Sequence, residues 1–290
     1  MRAVEGFYDY ELIDADAGER LERWKDIILI RPDPQIIWSE GKKDKRWNEA
    51  HAIYHRSNSG GGYWEKLKNV PDVWSVNFAD LTFRLKPMGF KHTGLFPEQA
   101  VNWALVSDFI KKANRPISVL NLFSYTGAAT IACLKAGASV THVDASKGMV
   151  QWAKENAVAS GVADANVRWL VDDCLKFVKR EIRRGKKYDA IIMDPPSYGR
   201  GPNGEVWKLE QSLGELLSET GKLLSDDALF FLLNSYTGGL SHTILNYMVK
   251  TCIVGNRGGK VTTDEIGLKV TNRDIVLPCG NTTVWISENG

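Results

Sequence analysis

The five residues Asp-Pro-Pro-Ser-Tyr at positions 194–198 constrain the fold more than any other part of this chain. They follow residues 188–193, a short apolar run that is typical of a buried parallel strand. Because each proline fixes φ and lacks a backbone donor, the strand cannot continue and no helix can begin. Asp194 is therefore predicted at the carboxyl end of a strand, where open α/β sheets hold their ligands. A stiff loop with a carboxylate, backbone carbonyls and an aromatic ring suits a planar group that bears an amine.

A second signal is a strand–turn–helix–strand pattern upstream. Residues 118–123 and 140–143 are predicted strands, separated by a turn with the single glycine Gly127 and by the opening of a helix. The spacing is that of a nucleotide-binding βαβ unit, but the sequence G-x-G-x-x-G is missing. Since a pyrophosphate needs several close backbone amides, one glycine suits a ligand without phosphates. Asp144 ends the second strand and is placed to bind two ribose hydroxyls. An adenosine without a pyrophosphate points to S-adenosylmethionine.

A third strand end carries acidic residues. Residues 167–171 are a predicted strand, and Asp172, Asp173 and Cys174 follow it. In a doubly wound sheet this end lies next to the other two, so a carboxylate there can accept a hydrogen bond from the adenine amine. Acidic residues after strands also cap helices, and that alternative stays open for Asp144 and for Asp173 taken singly. The ordered set of three strand ends is what favours a cofactor site.

Four stretches resemble a known family. Residues 119–130, 143–146, 172–173 and 194–198 are similar to bacterial ribosomal-RNA methyltransferases of the large-subunit cytosine-C5 type. They are equally similar to the C-terminal half of the bifunctional enzyme that makes 7-methylguanine. The resemblance covers the chain from about Lys86 onward. It implies a class I methyltransferase fold, S-adenosylmethionine as the cofactor and ribosomal RNA as the substrate.

The resemblance extends to residues 93–99, where that family carries T-G-x-F-x-x-Q and closes it over the methionine part of the cofactor. The residues predicted to bind S-adenosylmethionine are Thr93, Gly94, Phe96, Gln99, Asn121, Phe123, Ser124, Thr126, Gly127, Asp144, Ala145, Ser146, Asp173, Cys174 and Asp194. Those predicted at the reacting group are Asp194, Pro195, Tyr198 and Lys208. For Tyr198 the alternative is a tyrosine that closes the sheet edge. For Lys208 it is an exposed lysine in the first turn of a helix.

The chain departs from the cytosine-C5 enzymes at the position of their nucleophile. Those enzymes carry F-S-C-S after the fifth strand, whereas residues 233–237 here place Tyr236 where the cysteine would be. Carbon 5 of cytosine has no lone pair and reacts only after a thiolate has attacked carbon 6. A nitrogen acceptor needs no nucleophile. The sequence therefore predicts methyl transfer to a base nitrogen without a covalent cysteine intermediate.

The first part of the chain lacks the alternation of strands and helices. Residues 27–30, 36–38, 73–78 and 81–85 are predicted strands, which indicates a small β-rich domain over 1–85 ahead of a methyltransferase domain over 86–290. The small domain holds half of the tryptophans and the basic run 42–46, a combination that single-stranded RNA binding uses. We expect it to recruit RNA. The alternative is that the tryptophans fill a small core.

The remaining pattern predicts an α/β, Rossmann-like, seven-stranded doubly wound sheet whose last strand is antiparallel. Residues 199–204 are a candidate lid, and 60–62 a glycine loop. The net charge of +2 is not that of a strong non-specific nucleic-acid binder. No apolar run reaches the roughly 18 residues of a membrane span, and no signal peptide is apparent, so a cytoplasmic location is expected. The four scattered cysteines and His51 with His55 predict no metal site.

Four functions follow from these observations, in decreasing order of support. The first is an S-adenosylmethionine-dependent methyltransferase of RNA, with ribosomal RNA as the expected partner. The second is a methyltransferase of the same fold that acts on a protein or a small molecule, which the near-neutral charge favours mildly. A nicotinamide oxidoreductase and a non-catalytic RNA-binding protein are the others. The oligomeric state is left open, and a homodimer is one alternative.

Overall fold

A computed structural model describes residues 1–57, 61–200, 206–236 and 239–288, without the side chain of Arg200. The chain forms two compact units. Unit 1 comprises Met1–Val101 and Gly267–Pro278, and unit 2 comprises Asn102–Ile266 and Cys279–Gly290. The sequence places the division near residue 85 and assigns everything after it to one domain. The first unit is instead longer, and a segment near the C-terminus completes it.

The first unit is built mainly from short strands. They are β1 (Arg2–Ala3), β2 (Tyr10–Asp16), β3 (Glu19–Trp24), β4 (Ile27–Pro32), β5 (Ala52–Arg56), β6 (Gly62–Lys66), β7 (Trp74–Phe78) and β8 (Leu81–Leu85), with 3₁₀ turns at Lys45–Glu49 and Pro97–Gln99. Five of them form a sheet in the order β2-β3-β4-β5-β6, and β7 pairs with β8. Only β4 and β5 pair in parallel within these two sheets.

Two-residue turns join three hairpins of unit 1, namely β2–β3, β3–β4 and β7–β8. Ala17 and Gly18 both have positive φ (49° and 78°), which gives the chain reversal between β2 and β3 the twist that antiparallel strands favour. Lys25 and Ala79 also have positive φ and begin the other two turns. The predicted hairpin turn at Ala79 is confirmed. The predicted strand over 36–38 is wrong, because this segment only lies along the first turn, where the Ile36 carbonyl accepts from Gly18 N–H at 2.9 Å.

A buried carboxylate lies at the centre of the five-stranded sheet. Glu22, on β3, is fully buried and accepts hydrogen bonds from the Tyr10 hydroxyl (2.7 Å) and, through both oxygens, from Arg31 (2.5 and 2.8 Å). Burial by itself raises the pKa of Glu22, but Arg20 and Arg31 outweigh burial and lower the pKa to about 2. Glu22 is therefore ionised and held by the fold.

The segment Gly267–Pro278 is tied to the rest of unit 1 by Arg273. Its guanidinium donates to Asp14 Oδ1 at 2.7 Å and to Asp16 Oδ1 at 3.3 Å. Both carboxylates are almost fully buried on β2. Asp14 also accepts from the Trp47 indole N–H at 2.8 Å. Burial works to raise the pKa of Asp14, but hydrogen bonds from Trp47 and Arg273 outweigh it and lower the pKa. The late segment thus supplies the cation for two early acids.

After residue 99 the chain alternates strands and helices as predicted. The elements are α1 (Ala100–Lys112), β9 (Ser118–Leu122), α2 (Ala128–Lys135), β10 (Ser139–Asp144), α3 (Lys147–Ala159), β11 (Val167–Val171), α4 (Cys174–Arg183), β12 (Ala190–Met193), β13 (Tyr198–Arg200), β14 (Val206–Lys208), α5 (Leu209–Gly221), β15 (Phe230–Ser235), α6 (His242–Val249), β16 (Lys260–Lys269) and β17 (Val276–Ile286). A π turn, Lys250–Val254, continues α6.

The main sheet has the order β1-β16-β17-β15-β12-β9-β10-β11. Strands β9 to β12 and β15 pair in parallel, and β17 is antiparallel to β15. The predicted seven-stranded doubly wound sheet with an antiparallel last strand is confirmed, and the two-residue β1 is an eighth member. The strand order reverses between β9 and β12, because β10 and β11 follow on one side and β12 on the other. A ligand crevice is expected at the carboxyl ends of these two strands.

The core of the sheet is apolar. The side chains of Leu120, Met193, Phe231, Leu213 and Leu217 are at most 1% exposed and belong to one cluster under α4, α5 and α6. Burying side chains of this size contributes about 1.5–3 kcal/mol each relative to exposing them. The sheet is thus a rigid platform for the loops at its carboxyl edge. No helix within the described parts of the chain is long and apolar enough to cross a membrane.

Candidate active site

The pairing register brings the predicted site residues into one row across the sheet. Val143 pairs with Leu122, Leu122 with Met193, and Met193 with Leu233. The residue that follows each of these is therefore aligned with its neighbours at or just beyond the carboxyl ends of the strands. This row contains Asp144, Phe123, Asp194 and Asn234. Asp144 and Asp194 are two strand spacings apart, about 10 Å, at the edge where the strand order reverses.

The Asp144 carboxylate is held by the backbone of two loops. Its Oδ2 accepts from Tyr125 N–H and its Oδ1 from Ser146 N–H, both at 2.8 Å. Burial raises the pKa of Asp144 above the ordinary value of 3.8, although these two hydrogen bonds act to lower it. Each carboxylate oxygen can accept a further bond, so Asp144 is oriented to bind a pair of hydroxyls.

The turn after β9 alternates left-handed residues. Phe123 (φ 56°), Tyr125 (φ 50°) and Gly127 (φ 84°) all lie in that region. At Gly127 the need for glycine is steric as well, because a Cβ there would come within 2.7 Å of the Ala153 Cβ on α3. The single glycine of the turn therefore lets α2 and α3 approach closely.

Two predicted cofactor residues, Asn121 on β9 and Ser124 in the turn after it, have side chains that form hydrogen bonds inside the fold. The Ser124 hydroxyl donates to the Asn121 carbonyl at 2.7 Å and accepts from Val143 N–H at 3.2 Å. The Asn121 amide donates to Thr130 Oγ1 at 2.9 Å, and that hydroxyl contacts His142 Nδ1 at 2.9 Å. Burial lowers the pKa of His142 to about 3, so the ring is neutral. This polar set stabilises the βαβ unit.

Thr126, Ala145 and Ser146 complete the two loops around Asp144. Thr126 is buried, and its carbonyl accepts from the Asn156 side chain at 2.9 Å. Ala145 and Ser146 are exposed. The Ser146 hydroxyl caps α3 by accepting from Met149 N–H at 3.4 Å. The contact of these three residues with the cofactor stays a prediction.

The third strand end is more exposed. Asp173 caps α4, because its Oδ1 accepts from Lys176 N–H at 2.8 Å. Its neighbour Asp172 pairs with Arg180. The capping alternative from the sequence is thus present for Asp173, while its contact with adenine stays a prediction. Cys174 is buried, and its Sγ accepts from Phe123 N–H at 3.3 Å.

Asp194 lies directly after β12, at the start of the proline loop. Its Oδ1 accepts from the Asn234 side-chain amide at 3.0 Å. Pro195 is buried, and the following residues are exposed. The Pro196 carbonyl accepts from the Trp207 indole N–H at 2.6 Å. The Trp207 ring is also 5.7 Å from that of Phe123, so it connects the proline loop with the β9 turn.

A short hairpin follows the proline loop. Tyr198 on β13 pairs with Lys208 on β14, so these two predicted residues are neighbours. Both are exposed, and Tyr198 is 52% exposed. The candidate lid over 199–204 begins inside this hairpin, and positions 201–204 lie outside the described residues. Residue 60 of the predicted glycine loop and residue 237 lie outside them as well. The sequence did not single out Trp207 or Asn234, since both read as ordinary parts of their elements.

A family model described as S-adenosylmethionine-dependent methyltransferase matches residues 49–231, more than half of the chain. The chain belongs to this family. A crystal structure of the SAM-dependent methyltransferase from Agrobacterium tumefaciens has 35% identity and a TM-score of 0.93, over 98% of this chain and 92% of that one. This confirms the predicted fold class and family, and S-adenosylmethionine is the cofactor.

Curated relatives are longer than this methyltransferase. "Ribosomal RNA large subunit methyltransferase K/L" from Shewanella frigidimarina is 36% identical over 239 residues, which cover 77% of this chain and 31% of that protein. The protein of the same name from Shewanella pealeana is 35% identical, over 76% of this chain and 33% of its own length. The chain thus spans about a third of the length of these relatives.

The residues at the crevice edge fit this cofactor. S-adenosylmethionine supplies a methyl group on a sulfonium, together with a ribose and an adenine. Asp144 can accept from both ribose hydroxyls while its backbone bonds keep it in place, and the exposed Asp173 is available to the adenine amine. No phosphate has to be bound, in keeping with a turn that holds one glycine.

A tyrosine lies directly after β15, at the position where the sequence resemblance places the nucleophilic cysteine of the cytosine-C5 enzymes. Tyr236 follows the strand, and its ring lies against the backbone of Gly280, where a Cβ would come within 3.1 Å of the ring. All four cysteines are free thiols. Burial raises the pKa of Cys133 to about 12, and it also raises the pKa of Cys174. Within the described residues, no group of three histidines, cysteines or acids could hold a metal ion.

The T-G-x-F-x-x-Q run belongs to unit 1. Thr93 is fully buried, and its carbonyl accepts from Lys86 N–H at 3.1 Å. Gly94 has a φ of 100°. The Phe96 ring is 4.9 Å from that of His92, and Gln99 N–H donates to the Phe96 carbonyl at 3.1 Å. The contact of these residues with the methionine part of the cofactor stays a prediction.

Proposed function

We propose that this methyltransferase transfers the methyl group to a ring nitrogen of a base in large-subunit ribosomal RNA, without a covalent enzyme–base intermediate. The names of the curated relatives support RNA as the substrate. One structural observation carries the nitrogen acceptor: a fixed carboxylate, Asp194, stands at the crevice, and a tyrosine follows the neighbouring strand.

Asp194 has the role of holding the base in line with the methyl group. Methyl transfer is an in-line displacement, so the protein contributes mainly by orienting the acceptor. The carboxylate of Asp194 and the carbonyls of the proline loop can accept hydrogen bonds from an exocyclic amine. A ring nitrogen next to that amine keeps its lone pair and attacks directly. When the methylated ring becomes cationic, the nearby carboxylate also stabilises the developing charge.

Tyr198 and Lys208 are proposed to complete the substrate side of the site. An exposed aromatic ring next to the proline loop can stack on the base, and stacking is worth about 1–3 kcal/mol per base. Lys208, its partner across the hairpin, can bind a phosphate of the RNA backbone. Trp207, between them in the same hairpin, fixes the loop by its bond to Pro196.

The absence of a suitably placed thiol supports the non-covalent route. A C5 mechanism requires a reactive thiolate, which means a lowered pKa and access to the base. Cys174 is buried with a raised pKa, and Tyr236 occupies the nucleophile position. The proposal therefore excludes an adduct between enzyme and base.

The basic run 42–46, which the sequence indicates as the RNA-binding surface of unit 1, is a weak candidate in the structure. In the basic run 42–46, Lys42 pairs with Glu19, Lys43 with Glu40, and Arg46 with Asp44 and Glu11. These pairs neutralise most of the run. At the edge of the five-stranded sheet, by contrast, Tyr63 is 63% exposed.

We propose this edge as the RNA-binding surface of unit 1. The Tyr63 ring is 5.2 Å from the His55 ring, and His55 Nε2 lies 2.7 Å from Glu65 Oε2. An exposed aromatic pair at a sheet edge is a surface on which unpaired bases can stack. The neutralised basic run favours the second candidate, a methyltransferase of the same fold acting on a protein or small molecule, in which case this edge would not bind RNA.

The direct test uses tritiated S-adenosylmethionine and large-subunit ribosomal RNA from a strain that lacks the gene. We expect transfer to this RNA, and mass spectrometry of its nucleosides should show one methylated base that the strain has lost. RNA that contains 5-fluorocytosine should give no denaturation-resistant complex. A complex that disappears when one cysteine is replaced would refute the nitrogen acceptor, and transfer only to protein would favour the second candidate.

A further inference from the structure

Three buried polar side chains connect the last strand of the sheet with the carboxylate of Asp194. The Asn102 amide on α1 donates to Thr282 Oγ1 at 3.0 Å, and the Thr282 hydroxyl donates to Asn234 Oδ1 at 2.8 Å. The Asn234 amide in turn donates to Asp194 Oδ1 at 3.0 Å. Asn234 and Thr282 are fully buried, and Asn102 is 3% exposed. Thr282, Asn234 and Asp194 lie at neighbouring positions on β17, on β15 and just after β12. One continuous set of hydrogen bonds joins them to Asn102 on α1.

The direction of these bonds is determined by the groups themselves. An ionised Asp194 carboxylate can only accept, so it turns the Asn234 amide hydrogens toward itself and the Asn234 carbonyl toward Thr282. The single Thr282 hydroxyl hydrogen therefore goes to Asn234, and Thr282 Oγ1 accepts from Asn102. The reverse orientation would set the Asn234 oxygen against the carboxylate and leave buried groups unsatisfied.

We propose that Asn102, Thr282 and Asn234 act as positioning residues that hold the Asp194 carboxylate as a fixed hydrogen-bond acceptor for the base. The inference rests on the proposed function, in which Asp194 orients the amine of the acceptor. A carboxylate held from inside the sheet keeps its orientation before the base arrives. Because the positioning residues are buried, they are expected to affect the rate through Asp194.

The main test compares two threonines that are adjacent on β17 and both fully buried. Thr282→Val removes the hydroxyl from the Asp194 set, whereas Thr283→Val removes one that contacts Thr263 Oγ1 at 3.0 Å. With tritiated S-adenosylmethionine and an in vitro transcript of large-subunit ribosomal RNA, we expect Thr282→Val to lower kcat roughly ten- to hundredfold. Its cofactor affinity by calorimetry should not change, Thr282→Ser should restore kcat, and Thr283→Val should leave it intact. Equal losses of kcat in the two valine variants, or no rescue by serine, would overturn the inference.

A second variant covers the case in which Thr282→Val does not fold. Asn234→Asp has the same shape and sets a second carboxylate against Asp194, so that one of the two must bind a proton at a higher pH. The acid limb of the pH–rate profile should therefore move upward. An unmoved limb would count against the inference.

A substrate-free measurement separates the inference from the proposed function. If the wild-type protein transfers no methyl group to the transcript, the proposed function fails, and urea unfolding then tests the hydrogen-bonded set. The midpoint shifts of Thr282→Val and Asp194→Ala should combine to less than their sum, because Asp194→Ala already frees the Asn234 amide. Thr283→Val with Asp194→Ala should be additive. Additivity in both pairs would overturn the inference even if RNA methylation is observed.

Discussion

The buried acids Glu22 and Asp14 of unit 1 lie inside strands, whereas Asp144 and Asp194 of unit 2 lie at strand ends. Glu22 and Asp14 are fully buried and bound by arginines. Asp144 is the last residue of β10, and Asp194 directly follows β12. Both are partly exposed, and their carboxylates accept hydrogen bonds from neutral groups, the backbone N–H groups of Tyr125 and Ser146 or the Asn234 amide. The charge of a carboxylate that pairs with a buried arginine is compensated within the fold. The charge of a carboxylate that is oriented by neutral donors is not compensated by them and is available to a ligand.

The largest effect on stability is expected when a buried charge is removed from unit 1. Glu22→Gln leaves Arg31 buried and unpaired, which should destabilise the protein by about 3–5 kcal/mol in urea unfolding. Glu19→Gln, on the same strand, removes only an exposed pair with Lys42 and should cost less than about 1 kcal/mol. Equal losses would mean that burial does not decide the contribution of these acids.

The same residue predicts a pH dependence. Because the pKa of Glu22 falls from 4.5 to about 2 on folding, its contribution is fully present above pH 4.5 and is lost as the pH falls toward 2. The free energy of unfolding of the wild-type protein should therefore fall between these pH values. The Glu22→Gln variant should show a smaller fall over that range.

For unit 2, Asp194→Ala should lower kcat by about 100- to 1000-fold, the usual effect of removing a fixed group that stabilises the transition state. Cofactor affinity should change little, because Asp194 is proposed to contact the acceptor. Asp194→Asn keeps the shape and removes the charge, so it shows how much of the loss is electrostatic. Kinetics and calorimetry on the same variants provide the measurement. Comparable losses of affinity and rate would make Asp194 a cofactor ligand only.

Asp144→Ala should weaken S-adenosylmethionine binding by at least about 1.5–3 kcal/mol, the contribution of a hydrogen bond to a charged group. The carboxylate is the binding form, and burial raises the pKa of Asp144. Affinity for the cofactor should therefore decline as the pH falls through a pKa above 3.8, and the variant should lack this decline. Calorimetry at several pH values tests both statements. Asp173→Ala, at the exposed cap of α4, should lose less affinity.

The smallest effect is expected at the edge of unit 1. Tyr63→Ala should weaken binding of single-stranded RNA by on the order of 1 kcal/mol, without changing its salt dependence, because a stacking ring carries no charge. Tyr8→Ala is the matched control, since Tyr8 is 88% exposed in the same unit but has no part in the proposed surface. Filter binding at two salt concentrations distinguishes the variants. Equal affinities for wild type and Tyr63→Ala would remove this surface from the proposal.

The same contrast explains what could be predicted from the sequence. The strand before Asp194, Ala190–Met193, is an uninterrupted apolar run because helices cover both faces of a parallel sheet, so its end is easy to locate. Strands β2 and β3 were missed because they carry buried charges, with Asp14 and Glu22 at positions where an apolar residue is expected. Arg31, which binds Glu22, is only nine residues away, but Arg273, which binds Asp14, is 259 residues away and could not be assigned from the sequence pattern.

Side-chain partners at the site were only partly predictable. The row of strand ends follows from the order of a doubly wound sheet, so the positions of Asp144 and Asp194 at one edge could be anticipated. The bond from Asn234 to Asp194 could not, because Asn234 lies in an apolar strand and its role depends on the register with β12. The Trp207 contacts depend in the same way on a hairpin that sequence patterns do not specify.

The return of Gly267–Pro278 to unit 1 affects how the protein folds during synthesis. Asp14 leaves the ribosome 259 residues before its partner Arg273. Until then two acids that are destined for burial lack their cation, so the N-terminal unit cannot reach its final packing as it is made. Contacts of such long sequence separation also slow folding. We therefore expect ribosome-bound chains that stop before Gly267 to be digested within unit 1 by protease, and chains released after Ile286 to resist it.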